Sequence, residues 1–240
     1  METCLIFLNI KKEQSMAGRH RKRRKTKFRR RVKLYFRTGI LLLVVSLLVL
    51  VGMKFFKLGP FSNEYVEMDT EKMQLEQPEI DVQLLTVNPY SRPGIKSDKI
   101  RNIVIHYTAN PGTSAEQNRN YFESLKDTKA RKASSHFVVG LEGEIVQCVP
   151  TWELAYASND RNSDTVSIET CHWSEDGKYT DETYKSLVYL TAWLCEKFEL
   201  TEDDIIRHYD ITGKVCPKYF VEDETAWLNF KKDVRNRMEE

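Results

Sequence analysis

Hydrophobic and polar positions change their period several times along the C-terminal half of the chain. Residues 100–108 (IRNIVIHYT) are rich in apolar and β-branched side chains, which predicts a strand buried on both faces. Apolar residues spaced three and four apart over residues 181–199 predict an amphipathic helix. Ser114 and Gln117 occupy capping-box positions, so a second helix is predicted over residues 114–127.

The remaining segments complete an order of elements. HFVVG and EIVQCV predict a hairpin about Glu142, residues 165–171 and 205–208 predict strands, and residues 223–238 predict a closing helix. This order predicts a mixed α/β fold with a central β-sheet flanked by helices. The length and the 41% hydrophobic content suit one ordinary core, so we predict a single globular domain over residues 99–240.

An apolar run near the N-terminus follows a basic one. Residues 19–37 contain no acidic side chain, and residues 39–53 (GILLLVVSLLVLVGM) contain no charge. Spanning a hydrocarbon core takes roughly 20 residues. Apolar residues up to position 58 extend the run, and Lys54 and Lys57 can place their ammonium groups at the interface. We therefore predict one N-terminal transmembrane helix over residues 38–58.

A cleaved secretory signal is the alternative for this run, but it should end in a small-residue site, and MKFFKLGPF follows here. The sequence favours an uncleaved anchor. The positive-inside rule then makes residues 1–37 a cytoplasmic basic tail and places the rest of this single-pass cell-membrane protein outside. Residues 59–98, with scattered prolines and many acids, predict an extracellular linker.

Charge is distributed unevenly along the chain. Residues 1–57 hold 16 of the 37 Lys and Arg but two of the 35 acidic residues, so residues 58–240 carry a net charge of −12. A duplex-binding domain needs Lys and Arg to displace phosphate counterions. We therefore expect no nucleic-acid partner for the globular domain, while a nucleic-acid-binding tail stays an alternative for the basic run.

Three side chains that suit a metal lie at or after the ends of predicted strands. His106 ends IVIH, His208 ends IIRH, and Cys216 follows in HYDITGKVCP. A catalytic zinc takes three protein ligands and leaves its fourth position to water. From spacing alone, the alternative that the histidines are ordinary core residues stays open. Five cysteines form an odd, sparse set that predicts no disulfide framework.

Four motifs, IVIHYTANPG, ASSHFVVGLEGEIVQCVP, NSDTVSIET and RHYDITGKVCP, resemble in order those of the type 2 N-acetylmuramoyl-L-alanine amidases. This family includes phage endolysins, bacterial autolysins and peptidoglycan recognition proteins. The resemblance covers nearly all of the predicted domain. It implies zinc ligands at His106, His208 and Cys216, the last being a variant of an Asp found in other members. It also implies a catalytic carboxylate at Glu169 and a catalytic lysine at Lys214.

The resemblance further implies the reaction, its Zn²⁺ cofactor and its partner. A monomeric catalytic domain would cut the amide bond between N-acetylmuramic acid and L-alanine in peptidoglycan. Glu169 would move the proton of the attacking water, and Lys214 would stabilise the oxyanion. Two alternatives remain: a non-catalytic muropeptide-binding module, which usually lacks the cysteine ligand, and a structural zinc, which needs a fourth protein ligand.

Some positions depart from the family pattern. AYAS at residues 155–158 stands where relatives often have Trp-His-Ala-Gly, which affects substrate contacts rather than the metal. Ser135 stands where some phage members have a tyrosine, and Glu169 is expected to take that role. His136 is predicted to be a packed or substrate-facing residue rather than a ligand, and His172 a surface residue.

Overall fold

The computed structural model describes Ile40 and residues 73–240 of the chain. The described strands and the five helices named below belong to a compact unit, Met68–Glu240. The basic tail predicted over residues 1–37 and the transmembrane helix predicted over residues 38–58 lie outside the described residues, apart from Ile40. Within the described part, no helix combines the length and the apolar character needed to cross a membrane.

In the described part of the chain, one central sheet is formed by short strands. They are β1 (Asp81–Val82), β2 (Asn102–Ile105), β3 (Phe137–Val139), β4 (Ile145–Gln147), β5 (Thr165–Thr170) and β6 (Ile205–Arg207). Their order across the sheet is β1-β4-β3-β5-β2-β6. Neighbours run parallel except β3 and β4, which form the antiparallel hairpin predicted about Glu142. The predicted mixed central sheet is therefore confirmed.

Helices flank this sheet. They are α1 (Ala115–Thr128), α2 (Asp181–Lys197), α3 (His208–Thr212), α4 (Lys218–Glu222) and α5 (Glu224–Glu239). The predicted capping box at the start of α1 is confirmed: Ser114 Oγ accepts from the Gln117 N–H, and the Gln117 side chain accepts from the Ser114 N–H. The two short helices α3 and α4 lie between the predicted strand over residues 205–208 and the predicted closing helix, where the sequence predicted no helix.

Two apolar clusters fix the helices on opposite faces of the sheet. On one face, Ile103, Ile105 and Phe137 pack with side chains of α2 and α5. On the other face, Val138 and Val146 pack with side chains of α1. Neighbouring positions of β3 face opposite ways because side chains alternate along a strand. Both faces are covered, so the strands read as nearly continuous apolar runs.

The chain before β2 differs from the linker predicted over residues 59–98. Its β1 adds a parallel edge strand to β4, and the N–H groups of Gln83 and Leu85 donate to the carbonyls of Gln147 and Cys148, at 3.0 and 2.9 Å. Leu85 is 1% exposed. The packed domain therefore begins earlier than the sequence predicted. A two-residue strand is too short to produce a detectable alternation.

The carboxyl ends of β5, β2 and β6 lie side by side, because these three strands are parallel neighbours. His106 directly follows β2, Glu169 is the fifth residue of β5, and His208 directly follows β6. The sheet thus brings three of the predicted site residues to one edge. Side chains held this way on a rigid scaffold are well placed to form a site.

Candidate metal centre

His106, His208 and Cys216 meet at this edge of the sheet, with ligand atoms that all lie within 4.8 Å of one another. Cys216 Sγ lies 3.8 Å from His106 Nδ1, and the two imidazole centroids lie 4.6 Å apart. A tetrahedral zinc with ordinary bond lengths needs about 3.6 Å between a sulfur and a nitrogen ligand. All three residues are buried. This donor set fits a zinc ion, and within the described residues the cluster comprises these three side chains.

Backbone contacts hold Cys216 in place. Helix α3 ends at Gly213, whose φ of 75° lies in the left-handed region that favours glycine. The chain then turns back, so that the Tyr209 N–H donates to the Cys216 carbonyl at 2.8 Å. The backbone of Tyr107 lies close enough to the Cys216 sulfur to lower the pKa of this thiol. Tyr107, which directly follows His106 in the chain, therefore lies beside the Cys216 thiol.

The environment of the Cys216 thiol favours its neutral form. Burial raises the pKa of this thiol to about 12, and the nearby Glu169 carboxylate adds to the rise. The Tyr107 backbone and the charge of Lys214 act in the opposite direction. Because thiolate is the form that binds metals, a cation bound here would reverse this preference.

Both histidines are set up to be neutral. Burial lowers the pKa of His106 well below its ordinary value, and the charges of His208 and Lys214 lower it further. Burial and Lys214 also lower the pKa of His208. A neutral imidazole offers the lone pair that a metal requires. His106 Nε2 is buried and has no hydrogen-bond partner in the described part of the chain.

Glu169 supplies an unpaired carboxylate beside this cluster. It lies opposite Val138 in the pairing of β5 with β3. The residue is half-buried, but its Oε2 atom is fully buried and, among residues 73–240, makes no hydrogen bond. Burial raises the pKa of this carboxyl to about 8, and the charge of Lys214 opposes the rise. A carboxyl with a pKa near neutrality can both take and return a proton.

Lys214 is an exposed residue of the loop between α3 and α4. Its backbone N–H donates to Thr212 Oγ1 at 3.2 Å. Its ammonium charge lowers the pKa of Glu169, His208 and Cys216, so it lies within electrostatic reach of all three. The structure therefore brings the five predicted site residues into one neighbourhood.

Two neighbouring side chains, which lie just before β3, serve packing. His136 is packed, as one of its two predicted roles required: Nε2 donates to the Glu153 carbonyl at 2.9 Å, and Nδ1 accepts from the Ser167 N–H at 3.0 Å. Burial lowers the pKa of His136 to about 4. The Ser135 hydroxyl lies 3.0 Å from the carbonyls of both Phe137 and Ser167. Ser135 therefore has a structural partner where some relatives have a tyrosine.

The prediction that His172 lies on the surface was wrong. It is 1% exposed, its ring stacks on Tyr107 with centroids 5.2 Å apart, and its Nδ1 donates to the Ser174 carbonyl at 2.8 Å. Its burial follows from the parallel pairing of β5 with β2, which carries the loop after β5 over the residues that follow His106. Tyr107 was missed as well, although its position next to His106 was a usable signal.

A second missed contact reaches the cluster from the loop before β5. Asn159 Oδ1 lies 3.0 Å from His208 Nε2. A single asparagine in a loop has no periodic signal, and nothing in the sequence pairs residue 159 with residue 208. This contact depends on tertiary structure alone.

The chain is similar to known proteins in sequence and in fold. Residues 96–219 match the profile of the N-acetylmuramoyl-L-alanine amidase family. N-acetylmuramoyl-L-alanine amidase CwlL of Bacillus licheniformis is 37% identical over 161 residues, which cover 62% of this chain and 44% of that protein. N-acetylmuramoyl-L-alanine amidase BlyA of Bacillus subtilis (strain 168) is 33% identical over 175 residues, which cover 64% and 46%. The chain thus spans less than half the length of these relatives.

Solved structures resemble this fold. PlyL superposes with a TM-score of 0.57 at 23% identity and covers 67% of this chain and 99% of its own. The catalytic domain of XlyA gives a TM-score of 0.56 at 23% identity, with coverage of 65% and 99%. The shared architecture is the mixed sheet with helices on both faces.

Proposed function

Because this chain belongs to the N-acetylmuramoyl-L-alanine amidase family, we propose that it hydrolyses the amide bond between N-acetylmuramic acid and L-alanine in peptidoglycan, with zinc as cofactor. The observation that carries the proposal is the meeting of His106, His208 and Cys216 beside an unpaired Glu169 carboxylate. Three ligands support a catalytic zinc, since a structural zinc takes four.

His106, His208 and Cys216 would hold the zinc, which supplies a Lewis acid that activates water and polarises the scissile carbonyl. Glu169 takes the proton from the attacking water, because its buried Oε2 has no competing partner within the described residues. It then returns this proton to the nitrogen of L-alanine. The amine therefore leaves as a neutral group, and Glu169 no longer holds the proton that it took from the water.

Lys214 contributes positive charge on the same side of the site. Negative charge develops on the carbonyl oxygen as water attacks, and a nearby ammonium group stabilises it. Two features support this role: the influence of Lys214 on the pKa of Glu169, and its position two residues before Cys216. Because the side chain is exposed, it can adjust to the substrate without disturbing the core.

The test combines metal analysis of the purified full chain with digestion of a muropeptide of known structure. We expect about one zinc per chain and release of the intact stem peptide with a free L-alanine amino group. A zinc-loaded chain that binds the muropeptide but leaves the bond intact would overturn the hydrolase and support the non-catalytic alternative.

Two variants of Cys216 test the ligand assignment. Cys216→Ala removes the sulfur and is expected to lose zinc on dialysis. Cys216→Asp supplies a carboxylate oxygen, which also binds zinc, and should retain the ion. Undiminished zinc in Cys216→Ala would remove Cys216 from the ligand set.

We also propose that residues 38–58 anchor the protein in the cell membrane, with residues 1–37 in the cytoplasm and the catalytic domain outside. The support is the basic-then-apolar pattern of the sequence and the location of the proposed substrate. Protease added to intact cells should digest the domain and spare the tail. Recovery of the full chain in the soluble fraction would contradict the anchor.

A further inference from the structure

A hydrogen bond from outside the ligand set reaches the candidate zinc site. Asn159 Oδ1 lies 3.0 Å from His208 Nε2. An amide oxygen can only accept a hydrogen bond, so His208 Nε2 carries the proton and donates. Nδ1 is then the nitrogen with a free lone pair. The contact therefore selects one of the two neutral tautomers of this histidine.

The loop around Asn159 holds it in position independently of His208. Asn159 begins a 3₁₀ turn, Asn159–Arg161, with a left-handed φ of 52° that asparagine tolerates better than most residues. Asn162 Oδ1 accepts from the N–H groups of Ala157 and Ser158 at 3.0 and 2.6 Å. The Asn162 N–H in turn donates to the Asn159 carbonyl at 3.1 Å.

We propose that Asn159 is a positioning residue for the metal ligand His208. By accepting from Nε2–H it fixes the tautomer and the orientation of the ring, so that Nδ1 is the nitrogen offered to zinc. This inference rests on the zinc site of the proposed function. Partners of this kind on metal-bound histidines typically contribute about 10-fold to 100-fold to metal affinity. Asn159 is exposed, and water can partly replace it, so we expect the lower end of this range.

The test compares zinc affinities of full-length variants by competition with a chelator. Asn159→Gly removes the acceptor and tolerates the left-handed backbone, so it should raise the zinc Kd about tenfold. Asn159→Asp keeps an acceptor oxygen and should bind zinc at least as tightly as the wild type. Asp160→Asn, in the same exposed turn, is the matched control and should leave the Kd unchanged.

Nitrogen-15 NMR of His208 in the chelator-treated chain gives a readout that does not depend on zinc. The wild type and Asn159→Asp should show a proton on Nε2, and Asn159→Gly should show both tautomers. A proton on Nδ1 in the wild type, an unchanged Kd in Asn159→Gly, or an Asn159→Asp variant that matches Asn159→Gly would each overturn the inference. A wild type that binds no zinc would overturn the proposed function as well.

Discussion

Two clusters of polar side chains, around His136 and around His106, adjoin the ends of strands of the same sheet, and they differ in whether their buried polar atoms have hydrogen-bond partners. Around His136, both ring nitrogens have partners, and the carboxylate of nearby Glu153 binds Arg92 through two contacts of 2.8 and 2.7 Å. Around His106, the imidazole Nε2 and the Glu169 Oε2 are buried without a hydrogen-bond partner among the described residues. Burial alone therefore does not separate a packed histidine from a candidate metal ligand.

The difference lies in what the fold leaves unpaired. A buried polar group without a partner costs about 1–3 kcal/mol. The His136 cluster avoids this cost, whereas the edge that holds His106 and Glu169 accepts it. Unpaired polar atoms at a sheet edge with a metal-type donor set are groups available to bind a ligand. Changing Glu169 or Glu153 to glutamine should accordingly have opposite effects. The first change should lower catalysis, and the second should lower stability.

The largest expected effect is that of Glu169→Gln on catalysis. The amide keeps the size of the side chain but cannot accept the water proton, so the hydrolysis rate should fall about 10²-fold to 10⁴-fold. Zinc content should be unchanged. The free energy of unfolding should stay the same or increase, because a neutral amide replaces a group whose charged form is disfavoured by burial. Muropeptide hydrolysis, zinc analysis and urea unfolding measure these three quantities, and near-normal hydrolysis would remove Glu169 from the mechanism.

Lys214→Ala should lower kcat/KM about 100-fold, since it removes positive charge near the developing oxyanion. Its free energy of unfolding should stay within about 0.5 kcal/mol of the wild type, because the side chain is exposed. Lys214→Arg keeps the charge and should recover part of the activity. Equal losses of kcat/KM in the arginine and alanine variants would show that the charge of Lys214 does not contribute to catalysis.

The His136 cluster should respond to pH through stability. The pKa of His136 is about 4 in the folded chain, against about 6.5 when unfolded, so the unfolded chain binds more protons between these values. The contribution of neutral His136 to the free energy of unfolding is present above pH 6.5. It is lost as the pH falls towards 4, and this loss amounts to about 3 kcal/mol. Urea unfolding of the chelator-treated wild type and His136→Gln should show a shallower loss in the variant. The two chains differ only at residue 136, so parallel curves would contradict the assignment of this pH dependence to His136.

The smallest expected effect is that of Glu153→Gln, which makes in the His136 cluster the same change that Glu169→Gln makes beside His106. It removes the charge that Arg92 binds, and both side chains are only 14% exposed. The free energy of unfolding should fall by about 1–2 kcal/mol, while hydrolysis by the folded chain should be nearly unchanged. A large loss of activity at full stability would place this cluster in catalysis and remove the contrast between the two regions.

Local patterns predicted most of the fold. The α1 capping box, the hairpin about Glu142 and the amphipathic α2 each depend on residues a few positions apart, so their signals lie within short windows of sequence. Strand β1 was missed because it has two residues and because its partner β4 lies far along the chain. Pairing of that kind is decided by tertiary packing.

The candidate site shows the same division between local sequence patterns and tertiary contacts. His106, His208 and Cys216 were candidates because each lies at or after the end of a predicted strand, and family motifs added Glu169 and Lys214. The contact between Asn159 and His208 could not be found, because it joins two residues 49 positions apart that no sequence pattern relates. The sequence could therefore predict which residues meet at this site, but not the contacts that support them.

The short strand β1 also determines how the domain can be handled as a recombinant fragment. A fragment that begins at residue 99 would lack β1 and the side chain of Leu85, so β4 would become an uncovered sheet edge beside an exposed apolar cluster. Unprotected edges pair with other chains and lead to aggregation. A fragment intended for metal analysis, crystallisation or NMR should therefore begin at or before residue 73.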